Sequence, residues 1–137
     1  MGIEYNIGLN VDAKQLDILF ERIGWRKRGA VKWREVLSKS SFGVSAWDGE
    51  KLVGFGRLIE DGVMCMFYDI GVLPEYQGKG IGGEIMKRLI DEVKYKKYAS
   101  IGLFSWEDNP NNIPFYQKFG FEKVGTGMEL TKYMKRE

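Results

Sequence analysis

Apolar residues recur along the chain with two periods, one helical and one extended. Helical spacing is clearest after Gly80, where one face of a predicted helix collects Ile81, Ile85, Met86, Leu89, Ile90 and Val93. A second helical stripe comprises Leu16, Leu19, Phe20 and Ile23. Asp12 with Gln15 predicts a capping box before that stripe, and Gly24 predicts its end. A less regular pattern predicts another helix from Val31 to Lys39.

Extended alternation and turn signals predict the strands. They run from Ile3 to Asn10, from Phe42 to Trp47, from Lys51 to Ile59, from Val63 to Val72 and from Ala99 to Ser105. Asp48-Gly49 is a strong hairpin signal, and Asp61-Gly62 repeats it. Strands two to four are therefore expected to form an antiparallel meander. The helix that follows Gly80 must cross over, right-handed, to a parallel fifth strand.

The C-terminal part predicts one more short helix and a closing hairpin. Phe121 to Val124 and Met128 to Tyr133 flank the turn sequence Gly125-Thr126-Gly127. The expected fold class is α+β (α/β mixed), with a mostly antiparallel mixed sheet of about six to seven strands and about four helices. No linker or repeat divides the chain, so a single domain over 1–137 is expected.

Four glycines occupy six positions between the fourth strand and the long helix: Gly78, Gly80, Gly82 and Gly83. Glycine costs a helix about 1 kcal/mol relative to Ala, so this concentration suggests a use. Without Cβ atoms, the backbone N–H groups can approach a ligand closely. They are also the unpaired donors of a helix N-terminus, where the helix dipole favours an anion. Strand, glycine turn and helix together predict a phosphate site.

The kind of phosphate depends on the context of these glycines. Gly78, Gly80 and Gly83 satisfy G-x-G-x-x-G, but residues 73–77 separate them from the strand, and a dinucleotide fold needs several βαβ units. No Gly-Lys-Ser/Thr follows, which excludes a P-loop. The run 77–82, Gln-Gly-Lys-Gly-Ile-Gly, instead resembles the Q/R-x-x-G-x-G/A acetyl-CoA motif of the GNAT acyltransferases. A glycine-rich turn without a ligand is the alternative interpretation.

A second motif resembles the same family. Residues 109–121 follow its N-x-x-A-x-x-F/L-Y-x-x-x-G-F pattern at Asn109, Phe115, Tyr116, Gly120 and Phe121. Asn112 replaces the usual Ala, and Pro114 is an additional departure that affects where the helix begins. With both motifs in order, the chain is identified as similar to small single-domain bacterial or archaeal GNAT members, from about Ser41 to Met128. The resemblance implies the GNAT acyl-CoA N-acyltransferase fold, splayed between strands four and five.

The resemblance also implies acetyl-CoA as cofactor and a set of residues that hold it. These cofactor-binding residues are Ile70, Val72, Gln77, Gly78, Lys79, Gly80, Ile81, Gly82, Asn109, Phe115 and Tyr116. The turn would hold the pyrophosphate, and the fourth strand would pair with the pantetheine arm. The N–H of Ile70 would donate to the acetyl carbonyl. Gly71 within that strand suggests a bulge or a close backbone approach that helps to open the sheet.

Tyr116 and Asp69 are the candidate catalytic residues. A phenol with a reference pKa of about 10 can protonate a departing thiolate, which suits Tyr116 as general acid. The alternative is that Tyr116 only packs. Asp69 is the carboxylate nearest to the implied acetyl site, and a charge there is costly unless it is used or paired. Asp69 is thus a candidate base or a structural partner of a backbone N–H, and the other candidates are Glu60, Glu107, Asp108 and water.

Composition restricts the chemistry further. The chain has no histidine, which excludes His-based triads and makes a zinc site unexpected. Its single cysteine, Cys65, cannot form an internal disulfide, suits a reducing cytoplasm and favours a packing role. The net charge of +2, the lack of a long apolar run and the lack of a signal-peptide pattern give no case for nucleic acid, membrane or export. A cytoplasmic protein without a metal is expected.

The resulting hypothesis is an N-acetyltransferase that transfers acetyl from acetyl-CoA to a primary amine of a small molecule or peptide. The amine would attack the thioester directly in a ternary complex. The resemblance also makes a homodimer possible, because members of the family often dimerise. A non-catalytic acyl-CoA-binding or sensing module is the alternative, and a dinucleotide-binding protein is a second one. The basic residues Arg26, Lys27, Arg28, Lys32 and Arg34 fit either a solvated face or a surface that binds acidic groups.

Overall fold

The computed structural model describes residues 2–135 and divides into two compact units, 1–103 and 104–137. The first unit holds β1 (Ile3–Ile7), α1 (Ala13–Ile23), α2 (Ala30–Lys39), β2 (Phe42–Asp48), β3 (Lys51–Glu60), β4 (Met64–Val72), α3 (Ile81–Val93) and β5 (Ser100–Gly102). The second unit holds α4 (Asn112–Gln117) and a short 3₁₀ turn, Thr131–Tyr133. The four helices lie where the sequence predicts them.

The five strands form one mixed sheet in the order β1-β2-β3-β4-β5. The first four pair antiparallel, and β5 lies parallel to β4 after the α3 crossover. This confirms the predicted meander and βαβ unit. The β4–β5 ladder pairs only Met64 to Met66 with Ser100 to Gly102, although β4 continues to Val72. Beyond Met66, no described strand pairs with this edge of β4, which is the splay that the fold requires.

The prediction of a closing hairpin near the C-terminus is wrong for the described residues. Residues 121–130 form no strand, and the residues of the predicted last strand include the 3₁₀ turn. Val124 and Met128 are 94% and 89% exposed. The glycine turn sequence predicts a reversal of the chain, but a strand also needs a partner ladder and a buried face, which these residues lack. The sheet therefore has five described strands instead of six or seven.

Helix α1 begins and ends as its sequence predicts, with one difference. The Asp12 carboxylate accepts a hydrogen bond from the Lys14 N–H at 3.0 Å, and Gly24 ends the helix with φ 106°. Gln15 does not complete the capping box. Its side chain accepts from the Leu52 N–H at 2.9 Å and donates to the Glu50 carbonyl at 3.1 Å, because the β2–β3 hairpin lies beside it. Gln15 thus links α1 to the sheet.

Two glycines of β3 let α3 lie directly on the sheet. A Cβ on Gly54 would stand 2.9 Å from Ile85 Cδ1, and one on Gly56 would stand 2.9 Å from Ile85 Cγ2 and 3.0 Å from Leu89 Cδ1. The fully buried core of this unit includes Leu16, Leu19, Trp33, Val44, Val53, Phe55, Leu58, Ile85, Met86, Leu89 and Val93. This close packing fixes the N-terminus of α3 relative to the end of β4.

Candidate functional site

A β-bulge interrupts β4 at the position where the sequence places the acetyl site. Phe55 pairs with Gly71 and Arg57 with Tyr68, so the single residue between them on β3 faces both Asp69 and Ile70. Asp69 adopts φ 51°, a left-handed conformation that is uncommon outside glycine and that Asp and Asn tolerate best. The bulge therefore reorients the backbone at Ile70.

The end of β4 turns polar backbone groups toward its unpaired edge. The Leu73 N–H donates to the Val53 carbonyl at 2.9 Å. In an antiparallel ladder the neighbouring residue, Val72, then directs its N–H and carbonyl to the opposite edge. The Val72 carbonyl accepts a hydrogen bond from the Gln77 side chain at 2.9 Å. A ligand that pairs with Val72 would therefore use its N–H.

Gln77 and two glycines shape the loop between β4 and α3. After the 3₁₀ turn Pro74–Tyr76, the Gln77 N–H donates to the Pro74 carbonyl at 3.2 Å, while the Gln77 side chain holds the end of β4. Gly78 and Gly80 have φ 77° and 84°, which favours glycine at both positions. Gly80 is the N-cap of α3. These two left-handed glycines turn the chain from the 3₁₀ turn into α3.

The loop and the first turn of α3 present a run of free backbone donors. The first N–H to close a helical turn is that of Glu84, which donates to the Gly80 carbonyl at 3.0 Å. The N–H groups of residues 78–83 have no acceptor among residues 2–135. Such a run at a helix N-terminus binds anions, because the donors converge and the helix dipole adds positive potential. The predicted Gly78, Lys79, Gly80, Ile81 and Gly82 all belong to it.

Two lysine side chains lie near Tyr76, at the start of the same loop. Lys79 Nζ lies 5.7 Å and Lys51 Nζ lies 5.4 Å from the ring centroid of Tyr76. The Tyr76 hydroxyl donates to an Asp48 carboxylate oxygen, and this hydrogen bond raises the pKa of Tyr76. The one acidic side chain in the first turn of α3, Glu84, accepts from Arg88 Nε at 2.7 Å, which offsets its charge. The potential at the loop thus favours an anion.

Asp69 has two guanidinium partners that sequence reasoning did not find. One carboxylate oxygen accepts from Arg57 Nε at 2.7 Å and from Arg28 Nη1 at 3.0 Å, and the other accepts from Arg28 Nη2 at 3.2 Å. The Asp69 side chain is 7% exposed. These contacts favour a structural role for Asp69 over the role of a base. Its partners are two guanidinium groups and not the backbone N–H that the sequence suggested. Both oxygens of this carboxylate are therefore already engaged by donors of the chain.

The segment between α1 and α2 is held by a second buried carboxylate. Asp17 accepts from Lys27 Nζ at 2.7 Å and from the Gly29 N–H at 2.8 Å. Desolvation opposes the charge of Asp17, but these hydrogen bonds outweigh it and lower the pKa below its ordinary value. Two other cations of the basic cluster also pair within the chain, Arg28 with Asp69 and Lys32 with Glu35 at 2.7 Å. Part of this cluster therefore neutralises the chain's own acids.

Glu60 lies away from the bulge. It stands at the β3–β4 turn opposite Cys65, and its side chain accepts from the Gly62 N–H at 2.9 Å. Five positions of β4 separate Cys65 from Ile70, which is about 16 Å of extended strand. This distance removes Glu60 from the candidate bases near Ile70.

Cys65 is fully buried in β4. Burial, followed by the nearby Glu60 carboxylate, raises the pKa of its thiol to about 11. A protonated and inaccessible thiol is a poor nucleophile. These observations favour the packing role.

The second unit contains the other motif. The Asn109 side chain accepts from the Asn111 N–H at 3.0 Å and its carbonyl accepts from the Asn112 N–H at 3.2 Å, which starts α4. Pro114 lies in the first turn of α4, where a missing N–H is tolerated. The Tyr116 ring meets Phe115 edge-on at 5.1 Å between centroids. Burial raises the pKa of the Tyr116 phenol.

Other classes of site find little support within residues 2–135. That part of the chain contains no group of three or more acidic, cysteine or histidine side chains arranged to hold a metal ion. It likewise contains no helix with the length and apolar character needed to cross a membrane.

Comparison with known proteins assigns the same family to both motifs. The model of the Acetyltransferase (GNAT) family matches residues 12–121. The chain is 32% identical to the uncharacterized N-acetyltransferase ycf52 of Porphyra purpurea, over 88% of this chain and 70% of that protein. It is 29% identical to GCN5-related N-acetyltransferase 1, chloroplastic, of Arabidopsis thaliana, over 95% of this chain and 65% of that protein. The resemblance thus extends beyond bacterial and archaeal members.

A solved structure agrees on the fold. A probable acetyltransferase from meticillin-resistant Staphylococcus aureus superposes with a TM-score of 0.85 at 24% identity, over 98% of this chain and 100% of that one. At this identity the similarity concerns the fold alone.

Proposed function

Because the chain belongs to the GNAT acetyltransferase family, we propose that it transfers acetyl from acetyl-CoA to a primary amine of a small molecule or peptide. The observation that carries this proposal is the run of backbone N–H groups at residues 78–83, which have no acceptor among the described residues. It follows, after the short connection of residues 73–77, a bulged strand whose edge is open. A pyrophosphate and an extended pantetheine arm would need these two features side by side.

The glycine loop fits the pyrophosphate. The donors of Gly78, Lys79, Gly80, Ile81 and Gly82 would hold it, with the dipole of α3 behind them. Gln77 would act indirectly, since its side chain already holds the Val72 carbonyl and so fixes the loop against β4. The ammonium of Lys79 adds charge beside the loop.

The open edge of β4 fits the pantetheine arm. Val72 would contribute its N–H, and Ile70 at the bulge would direct its N–H to the acetyl carbonyl. A backbone donor aimed at a developing oxyanion is worth about 3 kcal/mol. Acetyl-CoA supplies the acetyl group as a thioester. The residues of β4 orient that group and stabilise the charge that develops on its oxygen.

We assign the general acid to Tyr116. The attacking amine loses a proton, and the thiolate that leaves gains one. A phenol whose pKa is raised by burial keeps its proton through the neutral range, so it is available for the thiolate. This role rests on the second motif, as do the proposed cofactor contacts of Asn109 and Phe115.

The proton acceptor for the amine is proposed to be water. Asp69 already accepts three hydrogen bonds from two arginines, and Glu60 lies at the other end of β4. An alkyl ammonium with a pKa of about 10.4 can lose its proton to a water chain before it attacks. Direct attack also fits Cys65, whose buried thiol is unsuited to an acyl-enzyme. A reducing compartment such as the cytoplasm suits that free thiol.

The test combines binding with turnover. Calorimetric titration should give binding of acetyl-CoA and none of NAD, and a panel of primary amines should then stimulate release of free CoA. Acetyl-CoA binding without turnover on any amine would favour a sensing module. Absence of acetyl-CoA binding, or binding of NAD instead, would contradict the proposal.

A further inference from the structure

Asp69 connects three parts of the chain at the bulge. It lies on β4, Arg57 lies on β3, and Arg28 lies in the segment before α2. The Asp69 carboxylate joins both guanidinium groups at 2.7 to 3.2 Å. The segment before α2 and the two strands therefore meet at one carboxylate.

The backbone of Asp69 sets the direction of the next N–H. The peptide between Asp69 and Ile70 carries the Ile70 N–H, and its orientation depends on the backbone torsions of Asp69. Those torsions are in the left-handed region, with φ 51°. A glycine would adopt them with less strain. We infer that aspartate occupies this position because of its side chain, whose carboxylate binds two arginines.

Both arginines are themselves fixed. Arg57 is 10% exposed in its side chain, donates from Nη1 to the Ser40 hydroxyl at 3.2 Å, and lies 5.0 Å from the Tyr68 ring centroid. Arg28 lies 4.2 Å from the Trp33 ring centroid. Guanidinium groups held by rings and by a hydroxyl form a rigid support.

We propose that Asp69 is a positioning residue for acyl transfer. Arg57 and Arg28 hold its carboxylate, and this clamp fixes the peptide whose N–H the proposed function assigns to the acetyl carbonyl. The inference rests on that proposed function. In this proposal Asp69 does not act as a general base. It orients the N–H of the neighbouring Ile70.

Asp69→Asn tests the clamp, with Glu35→Gln as its control. Asparagine tolerates the left-handed conformation but loses the ion pairs. Glu35 also joins two cations, Lys32 Nζ at 2.7 Å and Lys39 Nζ at 3.0 Å, but all three residues lie on α2 and outside the clamp. We expect kcat to fall about 10- to 100-fold in Asp69→Asn, as for other small misplacements, with unchanged acetyl-CoA affinity. Glu35→Gln should keep the wild-type kcat.

The pH profile separates positioning from base catalysis. If Asp69 only positions the donor, kcat/KM of Asp69→Asn falls by the same factor at every pH. If Asp69 is the base, the rising limb of the profile disappears. Arg28→Gln provides a second variant should Asp69→Asn fail to fold. It removes one arm of the clamp and should also lower kcat, by a smaller factor than Asp69→Asn does. Base catalysis would not explain this loss, because neither arginine nor glutamine at position 28 accepts a proton.

Amide hydrogen exchange provides a readout that needs no turnover. NMR should show faster exchange of the Ile70 and Gly71 amides in Asp69→Asn than in wild type, and no change there in Glu35→Gln. If wild type lacks turnover but exchange follows this pattern, the proposed function fails while the clamp stands as a structural device. If wild type turns over but Asp69→Asn and Glu35→Gln match it in kcat and in exchange, the positioning role is overturned.

Discussion

Gly71 lies directly against the ring of Phe20. A Cβ built on Gly71 would stand 2.8 Å from Cε1 of Phe20 and 2.6 Å from Cδ1 of Ile23. Phe20 is itself fully packed, with ring centroids 5.2 Å from Trp33 and 4.6 Å from Trp25. Helix α1 thus rests on β4 beside the bulge, and the absence of a side chain at Gly71 allows this contact.

Gly71→Ala should therefore destabilise the protein. The added methyl group has no room unless Phe20 or Ile23 moves, and such overpacking costs about 1–3 kcal/mol. Gly102→Ala is the matched control in a strand, because its nearest neighbour is Met66 Sδ at 3.4 Å. Urea unfolding should give a lower midpoint for Gly71→Ala and little change for Gly102→Ala. Equal midpoints would contradict the close approach.

The left-handed glycines of the loop should matter for cofactor binding more than for folding. Gly78 and Gly80 have positive φ and no atom within 4 Å of a built Cβ, so alanine there is strained only in its backbone. If the variant relaxes its torsions, the donors of the loop no longer converge. We expect the acetyl-CoA Kd to rise about tenfold, equivalent to 1.4 kcal/mol.

Gly49→Ala is the control for these variants. Gly49 has φ 62° and open space around it, but it lies in the β2–β3 turn. The same type of strain there should lower stability without weakening acetyl-CoA binding. Similar Kd values for Gly49→Ala and Gly80→Ala would show that the loop conformation is not what binds the cofactor.

Features decided within a few residues are the ones that the sequence predicts well. Asp48-Gly49 indicates a hairpin, and Gly49 adopts the positive φ that such a turn needs. Gly24 and Gly80 end and begin helices with the same left-handed geometry. Each of these depends on local torsions and on the next few hydrogen bonds, so periodicity and glycine positions suffice.

Features decided by distant partners are not predicted. Asp69 meets Arg57 and Arg28 across 12 and 41 positions of sequence, through a bulge whose exact register no local pattern encodes. From Gly71 the sequence suggested either a bulge or a close backbone approach. Gly71 makes the close approach, to α1, whereas the bulge lies beside it at Asp69 and Ile70. The predicted C-terminal hairpin failed for a related reason, since a turn signal does not supply a partner ladder.

The thiol of Cys65 should be inert in the folded protein. Burial, with a further contribution from Glu60, raises its pKa to about 11. At pH 8 a thiol with that pKa is about 0.1% ionised, whereas an unperturbed one with a pKa near 8.5 is about 24% ionised. An aromatic disulfide reagent should label Cys65 only after denaturant is added.

A matched control keeps this result interpretable. Val124→Cys in a Cys65→Ala background places a thiol at a position that is 94% exposed, and it should react at once.

The raised pKa of Cys65 also makes the free energy of unfolding depend on pH, because the folded state retains a proton that the unfolded state loses. Cys65 should therefore contribute a loss of stability as pH rises from about 9 toward about 11, which Cys65→Ala should lack. Rapid labelling of the native thiol at pH 8 would contradict both the burial and the raised pKa.

Tyr116→Phe should test the general acid most directly. Loss of the phenolic proton donor should lower kcat about 10²- to 10⁴-fold, the usual range for general acid catalysis. The affinity for acetyl-CoA should remain, because the ring and its edge contact with Phe115 remain. Since burial raises the pKa of Tyr116, the phenol stays protonated through neutral pH. The wild-type kcat should therefore decline from loss of the phenolic proton only above about pH 10.

Tyr133→Phe supplies the comparison for this variant. Tyr133 lies in the same unit and is 74% exposed, so removing its hydroxyl should leave kcat unchanged. Calorimetry on both variants separates binding from chemistry. If Tyr116→Phe keeps the wild-type kcat and the same alkaline decline, the phenol is not the acid, and the role of Tyr116 reduces to the packing alternative. A parallel loss of acetyl-CoA affinity would instead assign Tyr116 to cofactor binding.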